Sequence, residues 1–429
     1  MNLYATLSTY GMKTIHEFKE YFRKHSWYTI GSNVTNVLSY ANSILIGRLL
    51  GPSGLGDIGS FTAYLGILSI PVSILGTFIT QISSLEKNAV SIFNALRSKV
   101  LYFLFGMFLL FVLSLALAFP IEVLTKLSPV GSILLLPNLW LSLLVVSLAA
   151  SSLGGEAYKM SVIASFLGTF IKILAVPVIV LSHWYVSDIS IITISLGQAT
   201  MAILLWVYLD RLYPKSASPT FHRMVQFAKQ QSLIYTILGS ASMILLVNLD
   251  IVIARQLFDG KHAGIYATWS LLSKVVFFTL GPLLTVSFVK QSKKVNRGEH
   301  TLDSSVKILI VFCLASLIPL FIGYQYIAPI FLKFVFGAKF ESLYQYLGLS
   351  GIFGAFTLLL NHLTNTHIAR KSWLSVWTIF CVVIFALFSF MFHPNLSQYY
   401  LLVNATVIVA SFGLYLGLSR TFSSQPSIS

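Results

Sequence analysis

The sequence predicts an all-α polytopic membrane protein of about twelve transmembrane helices, built as two pseudo-symmetric six-helix lobes. Three observations carry that prediction. First, of the 429 residues, 56% are hydrophobic and only 10% charged, with a mean hydropathy of +0.83. A water-soluble domain cannot bury that much apolar surface, and runs of about twenty apolar residues can each cross a bilayer. Second, the stretch Ile44–Gly59, ILIGRLLGPSGLGDIG, returns as Ile251–Ala267, IVIARQLFDGKHAGIYA. Ile44, Ile46 and Arg48 map onto Ile251, Ile253 and Arg255 at a single offset, and Gly56 maps onto Gly264 after one inserted residue. Each copy closes an apolar run with an Arg, turns, and opens another run at a Gly, which marks the corner of a repeated unit. Third, with the N-terminus placed inside, 20 of the 28 Lys and Arg fall on the inner side, six on the outer side and two within spans. Such asymmetry is the positive-inside signature.

The elements follow in order. Residues 1–26 are too polar for a signal peptide and form a cytoplasmic N-terminal segment. Within it, 13–24 places Ile15, Phe18, Tyr21 and Phe22 on one helical face, the pattern of a short interfacial helix or of a solvated tail. The first lobe, 27–209, contains spans near 27–50, 58–83, 99–120, 132–153, 160–182 and 189–209. A cytoplasmic linker, 210–229, carries Pro214 and Pro219 and then an amphipathic stretch with Phe221, Met224, Val225 and Ala228 on one face. The second lobe, 230–418, contains spans near 230–257, 264–289, 305–326, 344–367, 372–392 and 399–418, before a cytoplasmic tail, 419–429. Six crossings per lobe start both lobes on the same side, so the repeats are parallel, about an axis along the membrane normal. The longest outer connection, about 327–343, is too short for a soluble domain, so any chemistry belongs inside the bundle.

Several motifs are excluded by context. Gly54-Leu-Gly56-Asp-Ile-Gly59 matches GxGxxG, but a dinucleotide site needs a strand before it and a βαβ unit around it. Here it joins two membrane spans and reads as a tight turn. No GxxxxGK[ST], HExxH, CxxC or GxSxG occurs, so no P-loop, zinc or serine-hydrolase site is expected, and neither a catalytic residue nor a metal or cofactor. Cys313 and Cys381 lie inside apolar spans as packing residues. The net charge of +15 sits in short loops, as topology signals do, and not in a nucleic-acid groove.

Polar residues inside the spans are the candidate functional groups. Span 1 carries Asn33, Asn36, Tyr40 and Ser43 at helical spacing, and span 2 carries Ser69, Ser73, Thr77 and Thr80. Such stripes face another helix or a water-filled cavity, because lipid cannot satisfy them. Lys172 lies near the middle of span 5 and Lys274 about ten residues into span 8. A charge at the bilayer centre costs roughly 2.5–3.5 kcal/mol on insertion scales. A hydrated cavity avoids that cost, and a partner offsets it. Asp250 is the candidate partner for Lys274, both lying about 10–15 Å deep at 1.5 Å per residue. Arg48 and Arg255 close spans 1 and 7 near the outer face, either as cavity cations or as side chains reaching the interface. Two Lys and one clear acid within the spans favour an anionic ligand such as a phosphate or pyrophosphate. His362, with Asn361, Asn365 and His367, forms a polar patch at the inner half of span 10, read as interfacial packing beside Arg370 and Lys371. Pro71, Pro177, Pro282 and Pro319 interrupt spans as kinks or bending points.

The Arg-x-Leu-Gly-Pro-x-Gly-x-Gly corner at Arg48–Gly56 resembles the N-terminal signature of polysaccharide-repeat flippases, the Wzx-type members of the multidrug/oligosaccharidyl-lipid/polysaccharide (MOP) superfamily. FHRMVQFAKQQ followed by LDIVIAR and GIYA is similar to that family's seventh and eighth helices. Asp57 departs from the pattern, where an apolar or neutral residue is expected. The resemblance implies a MATE-like layout and a flippase in the bacterial inner membrane, with both termini cytoplasmic. It implies, as partners, undecaprenyl-pyrophosphate-linked oligosaccharide (O-antigen, capsule or exopolysaccharide repeat units), membrane lipid, and polysaccharide polymerase or chain-length proteins. Joined to the residues, it assigns Lys172, Lys274, Arg48 and Arg255 to the phosphates. Asp250, Asn36, Tyr40 and Ser43 become polar or ion-pair groups of the cavity. Two rivals remain. A cation-coupled drug antiporter predicts a carboxylate facing the cavity. A membrane polymerase or ligase predicts a long outer loop with Arg or His.

Overall fold

The computed structural model describes residues 3–83, 86–154, 158–184, 186–213, 233–296, 304–370 and 372–423. Most of the 210–229 linker, including its amphipathic stretch, lies outside these residues, as do the side chains of the 13–24 segment. The first lobe comprises α1 (Leu3–Leu68), α2 (Ile70–Ser83), α3 (Glu86–Ser98), α4 (Val100–Ala116), α5 (Ala118–Thr125), α6 (Pro129–Gly154), α7 (Tyr158–Ile173), α8 (Ala175–Ser182) and α9 (Ser187–Leu212). The second comprises α10 (Leu233–Leu257), α11 (Gly260–Asn296), α12 (Ser304–Ile322), α13 (Ala328–Phe336), α14 (Leu347–Ala369), α15 (Trp377–Phe392) and α16 (Leu396–Ser423). Among the described residues there is no strand.

Among the described residues, nine helical segments are each long and apolar enough to cross a bilayer, and two more candidate spans are bent helix pairs. One of these pairs joins Trp27–Leu68 to Ile70–Thr80 at 60°. It holds two crossings, because α1 breaks at Gly51 (φ 75°, ψ −172°). That conformation suits glycine, which has no Cβ to clash, and Pro52 then restarts the helix without needing a backbone donor. The chain reverses here: Ser39 before the corner and Ser69 after it line one cavity. In an unbroken helix they would stand about 45 Å apart. Twelve crossings result, six per lobe.

The repeat is also written into the corners. Among the described residues, the other positive φ values fall at Lys126 (55°), His183 (56°), Gly337 (81°) and His393 (43°). Lys126 and Gly337 end the third crossing of each lobe, and His183 and His393 end the fifth. Left-handed Lys126, His183 and His393, and Gly337 with ψ −177°, stop a helix at these points and turn the chain back. The corner equivalent to Gly51 is built differently. Asp259 accepts the His262 amide at 2.8 Å and its ring nitrogen at 2.7 Å, capping the start of α11. Those donors hold its carboxyl below the usual carboxylate range.

The outer connection expected at about 327–343 is not a loop. Helix continues through a π-helical turn, Gly323–Ile327, into α13, reverses at Gly337, and re-enters as a 3₁₀ segment, Ala338–Tyr346. Buried Phe336, Phe340 and Leu343 anchor it, so hydrophobic packing carries helix through the expected connection. Three of the four singled-out prolines adjoin a break: Pro71 at the Ser69 bend, Pro177 after Leu174, and Pro319 one turn before the π-helical turn. The Pro282 side chain lies outside the described ones.

The lobes differ in packing. The second has one large core around Tyr266, Trp269, Phe353, Tyr399 and Tyr400, which Leu55 and Ala63 of α1 join, and a small cluster of Phe288, Ile368 and Ala369. The first has several smaller clusters. His362 and His367 belong to the second core: their Nε2 atoms lie 3.2 Å from the Val306 carbonyl and 3.1 Å from the Leu414 carbonyl. They brace α14 against α12 and α16.

Candidate functional site: a cavity between the lobes

The lobes meet where the repeat begins. Gly56 of α1 packs on Gly264 of α11: a Cβ built at Gly56 would lie 2.9 Å from the Gly264 Cα. The two glycines matched by the sequence repeat therefore touch each other, which places the pseudo-two-fold axis between them. Two glycines in register let helix backbones approach this closely.

Beside this contact is a cavity of about 470 Å³. The first lobe contributes Ser39, Asn42, Ser43, Thr62, Ser69, Ser142, Lys172 and Gln198, and the second contributes Asn248 and Lys274, with apolar residues between them. Both span lysines thus line one space, from opposite lobes. Among the described residues, the lining contains no Asp or Glu.

Close helix approaches aim the two lysines. Gly168 and Gly197 let α7 and α9 cross, and the Lys172 Cγ lies 3.1 Å from where a Gly197 Cβ would stand. The Lys172 stem therefore lies across α9, and the residue lines the cavity. In the second lobe the Ser273 carbonyl rests against Gly354, seating α11 on α14 next to Lys274. The Lys274 Nζ donates to the Val247 carbonyl at 2.6 Å, and the residue is 7% exposed.

The candidate residues separate into groups. Asp250 does not line the cavity. It is fully buried in the second lobe, where its Oδ2 accepts from the Tyr266 hydroxyl at 3.0 Å and the Ser270 hydroxyl at 2.8 Å. It forms no direct ion pair with Lys274, whose ammonium is held by a carbonyl one turn away. Asn36, Tyr40 and Ser43 line an adjoining space of about 130 Å³ with Ser39 and Leu271, and the Tyr40 hydroxyl donates to the Leu271 carbonyl at 3.4 Å. The Ser69–Thr80 stripe divides: Ser69 faces the cavity, while Thr77 meets Ser240 of the other lobe at 3.3 Å.

The two arginines are not cavity cations in this structure. Arg48 is exposed and stands off the lining. Its position at the end of a span lets a long side chain reach the interface. Arg255 pairs with Asp57 of the other lobe at 2.7 Å. The acid that departs from the flippase pattern therefore has a partner.

Asn42, Thr62, Ser142, Gln198 and Asn248 were not singled out from the sequence. Gln198 and Asn248 are polar residues deep in apolar runs, the same signal that identified the lysines. Asn248 crosses to the first lobe, its amide filling the space that a Gly66 side chain would take, and the Ser142 hydroxyl donates to the Gln198 carbonyl oxygen at 3.4 Å.

No protein-family model and no curated protein matches the chain. Solved structures do. A MOP-superfamily transporter from Pyrococcus furiosus, whose binding pocket is described as having reverse polarity, superposes with a TM-score of 0.68 at 13% identity over 92% of this chain and 93% of its own. A MATE protein in complex with MaD5 gives 0.66 at 14% identity over 92% and 94%. The eukaryotic MATE transporter AtDTX14 gives 0.65 at 13% identity over 94% and 96%. The chain is thus a multi-pass membrane protein with the two-lobed, twelve-helix fold of the MATE transporters of the MOP superfamily.

Proposed function

We propose that this protein is a flippase. It moves undecaprenyl-pyrophosphate-linked oligosaccharide repeat units across a bacterial inner membrane, with both termini cytoplasmic, by alternating access. The observation that carries this is the sign of the cavity: two lysines, several hydroxyls and amides and, among the described residues, no carboxylate. Lysine ammonium groups bind phosphate as compact charges, and neutral amides and hydroxyls suit sugar hydroxyls. The volume falls within the usual range of about 300–1,000 Å³ for small-ligand sites, enough for a pyrophosphate and its first sugar. The lipid tail stays in the bilayer. Rocking of the lobes exposes the headgroup on the far side without a covalent step, so the protein acts as a transporter and not as an enzyme. The reverse polarity described for the pocket of the Pyrococcus furiosus transporter is compatible with a cationic cavity in this fold.

Cation-coupled multidrug antiport is the second reading, favoured by the MATE neighbours and by buried Asp250. It calls for a carboxylate facing the cavity, which the lining lacks.

The test is complementation of bacterial strains lacking their own O-antigen or capsule flippase, scored by surface polysaccharide. Restored polymer that is lost again with Lys172→Ala supports flipping. Failure in every strain, with drug resistance conferred by the same gene, overturns it in favour of antiport.

A further inference from the structure

We propose that Arg255 and Asp57 form a latch that holds the cavity shut at the corner end, and that the protein carries this latch on one side of its pseudo-two-fold axis only. The inference rests on the two-lobed transport reading but not on the identity of the substrate.

Four hydrogen bonds, one of them also the ion pair, converge here from α10 onto the first lobe. The Arg255 Nη2 lies 2.7 Å from the Asp57 Oδ1 and 3.3 Å from the Lys126 carbonyl. The next residue, Gln256, donates through Nε2 to the Tyr64 hydroxyl at 2.9 Å and to the Leu124 carbonyl at 3.3 Å. The Arg255 side chain is only 13% exposed and Asp57 32%, so the pair is partly withdrawn from water, where an ion pair is screened less. All four acceptors belong to the first lobe, and both donors to the second. Opening the lobes at this end requires every one of these bonds to break together.

Symmetry sharpens the inference. Across a two-fold axis, a contact from one position to another is matched by the reciprocal contact. The Gly56–Gly264 contact lies on the pseudo-axis, so Asp57 corresponds to Ile265 and Arg255 to Arg48. The reciprocal pair would be Arg48 with Ile265. Ile265 is apolar and buried, and Arg48 is exposed. The repeat carries an arginine in both copies and an acid in only one. Arg255 is therefore a positioning residue that sets which way the cavity opens, and Arg48 is not its functional twin.

The experiment reads cavity access without substrate. Cys313 and Cys381, both buried and free, are first replaced by Ser. Thr62→Cys on the cavity wall then reports access to a membrane-impermeant thiol reagent, applied to spheroplasts and to inside-out vesicles. Ser53→Cys, at the exposed corner, establishes which face that corner occupies. Asp57→Asn and Arg255→Gln are each expected to raise Thr62→Cys labelling from the corner face about fivefold or more, the low end of usual coupling effects. The exchange Asp57→Arg with Arg255→Asp is expected to bring labelling back toward the parent rate. Parent-like labelling in both single variants overturns the latch, and so does labelling that stays high in the exchange. Because no sugar lipid enters the assay, failed complementation leaves this result standing, and a failed latch leaves the flippase proposal standing.

Discussion

Gly56→Ala offers a magnitude that can be worked from the structure. The added Cβ would stand 2.9 Å from the Gly264 Cα and 3.3 Å from its nitrogen, against 3.4 Å for ordinary contact. Both obstructing atoms are backbone, so no rotamer change relieves the overlap, and α1 and α11 must separate by about half an ångström. Overpacking of this kind costs about 1–3 kcal/mol. The cost falls only on the state in which the helices touch at this point. A state with the lobes parted here is spared, so the equilibrium moves toward opening at the corner end by about 5–150-fold. Side-specific labelling of Thr62→Cys measures that shift directly, with Gly281→Ala on α11 as control, since a Cβ there meets nothing within 4 Å. Corner-face labelling of Gly56→Ala no faster than the control would refute the reasoning.

Three further outcomes are expected. Lys172→Ala should lower polymer export at least about tenfold while Lys172→Arg keeps part of it, since a charge and not its shape is required; equal loss in both, measured as surface polysaccharide at matched expression, would contradict this. Asp250→Ala should destabilise more than Asp250→Asn, because alanine leaves the buried Tyr266 and Ser270 hydroxyls without their acceptor at about 1–3 kcal/mol for each unsatisfied group; thermal midpoints in detergent decide it. Arg97→Ala should lower the thermal midpoint more than Asp210→Ala. Arg97 pairs with Asp210 at 2.5 Å, and also donates to the Asn94 side chain at 2.8 Å and the Asp210 carbonyl at 3.1 Å, whereas a partly exposed ion pair alone is worth about 0–1 kcal/mol.

The fold was legible because a bilayer simplifies the problem. Every crossing needs a long apolar run, and the charge bias orients the runs, so span number and repeat stood out. The same physics found Lys172 and Lys274: a cation deep in an apolar run has few places to go but a cavity. The structure differs where local composition and packing disagree. Residues 327–343 fall between the expected spans 305–326 and 344–367, yet Phe336, Phe340 and Leu343 pull them into helix against the second core. Arg48 and Arg255 occupy matched positions, and spacing could not separate them. What does is an acid on the other lobe, nearly two hundred residues away along the chain and brought near only by the fold. Asp250 likewise looked available to Lys274, but the ammonium goes to the Val247 carbonyl, and the acid, set in the second core, takes two α11 hydroxyls on Oδ2.

The single latch also says something about ancestry. Two copies of the first lobe, joined as a symmetric dimer, would carry Arg48 and Asp57 on each half and close with two ion pairs. Two copies of the second lobe, with Arg255 and Ile265, would close with none. Simultaneous bonds release much more slowly than single ones, so the first dimer would tend to stay shut and the second to drift open. One chain holding both halves lets each differ alone, and a single acid between them gives a closure of intermediate strength. In this protein, duplication supplied the architecture, and departure from symmetry at one residue pair supplied a gate that can be both held and released.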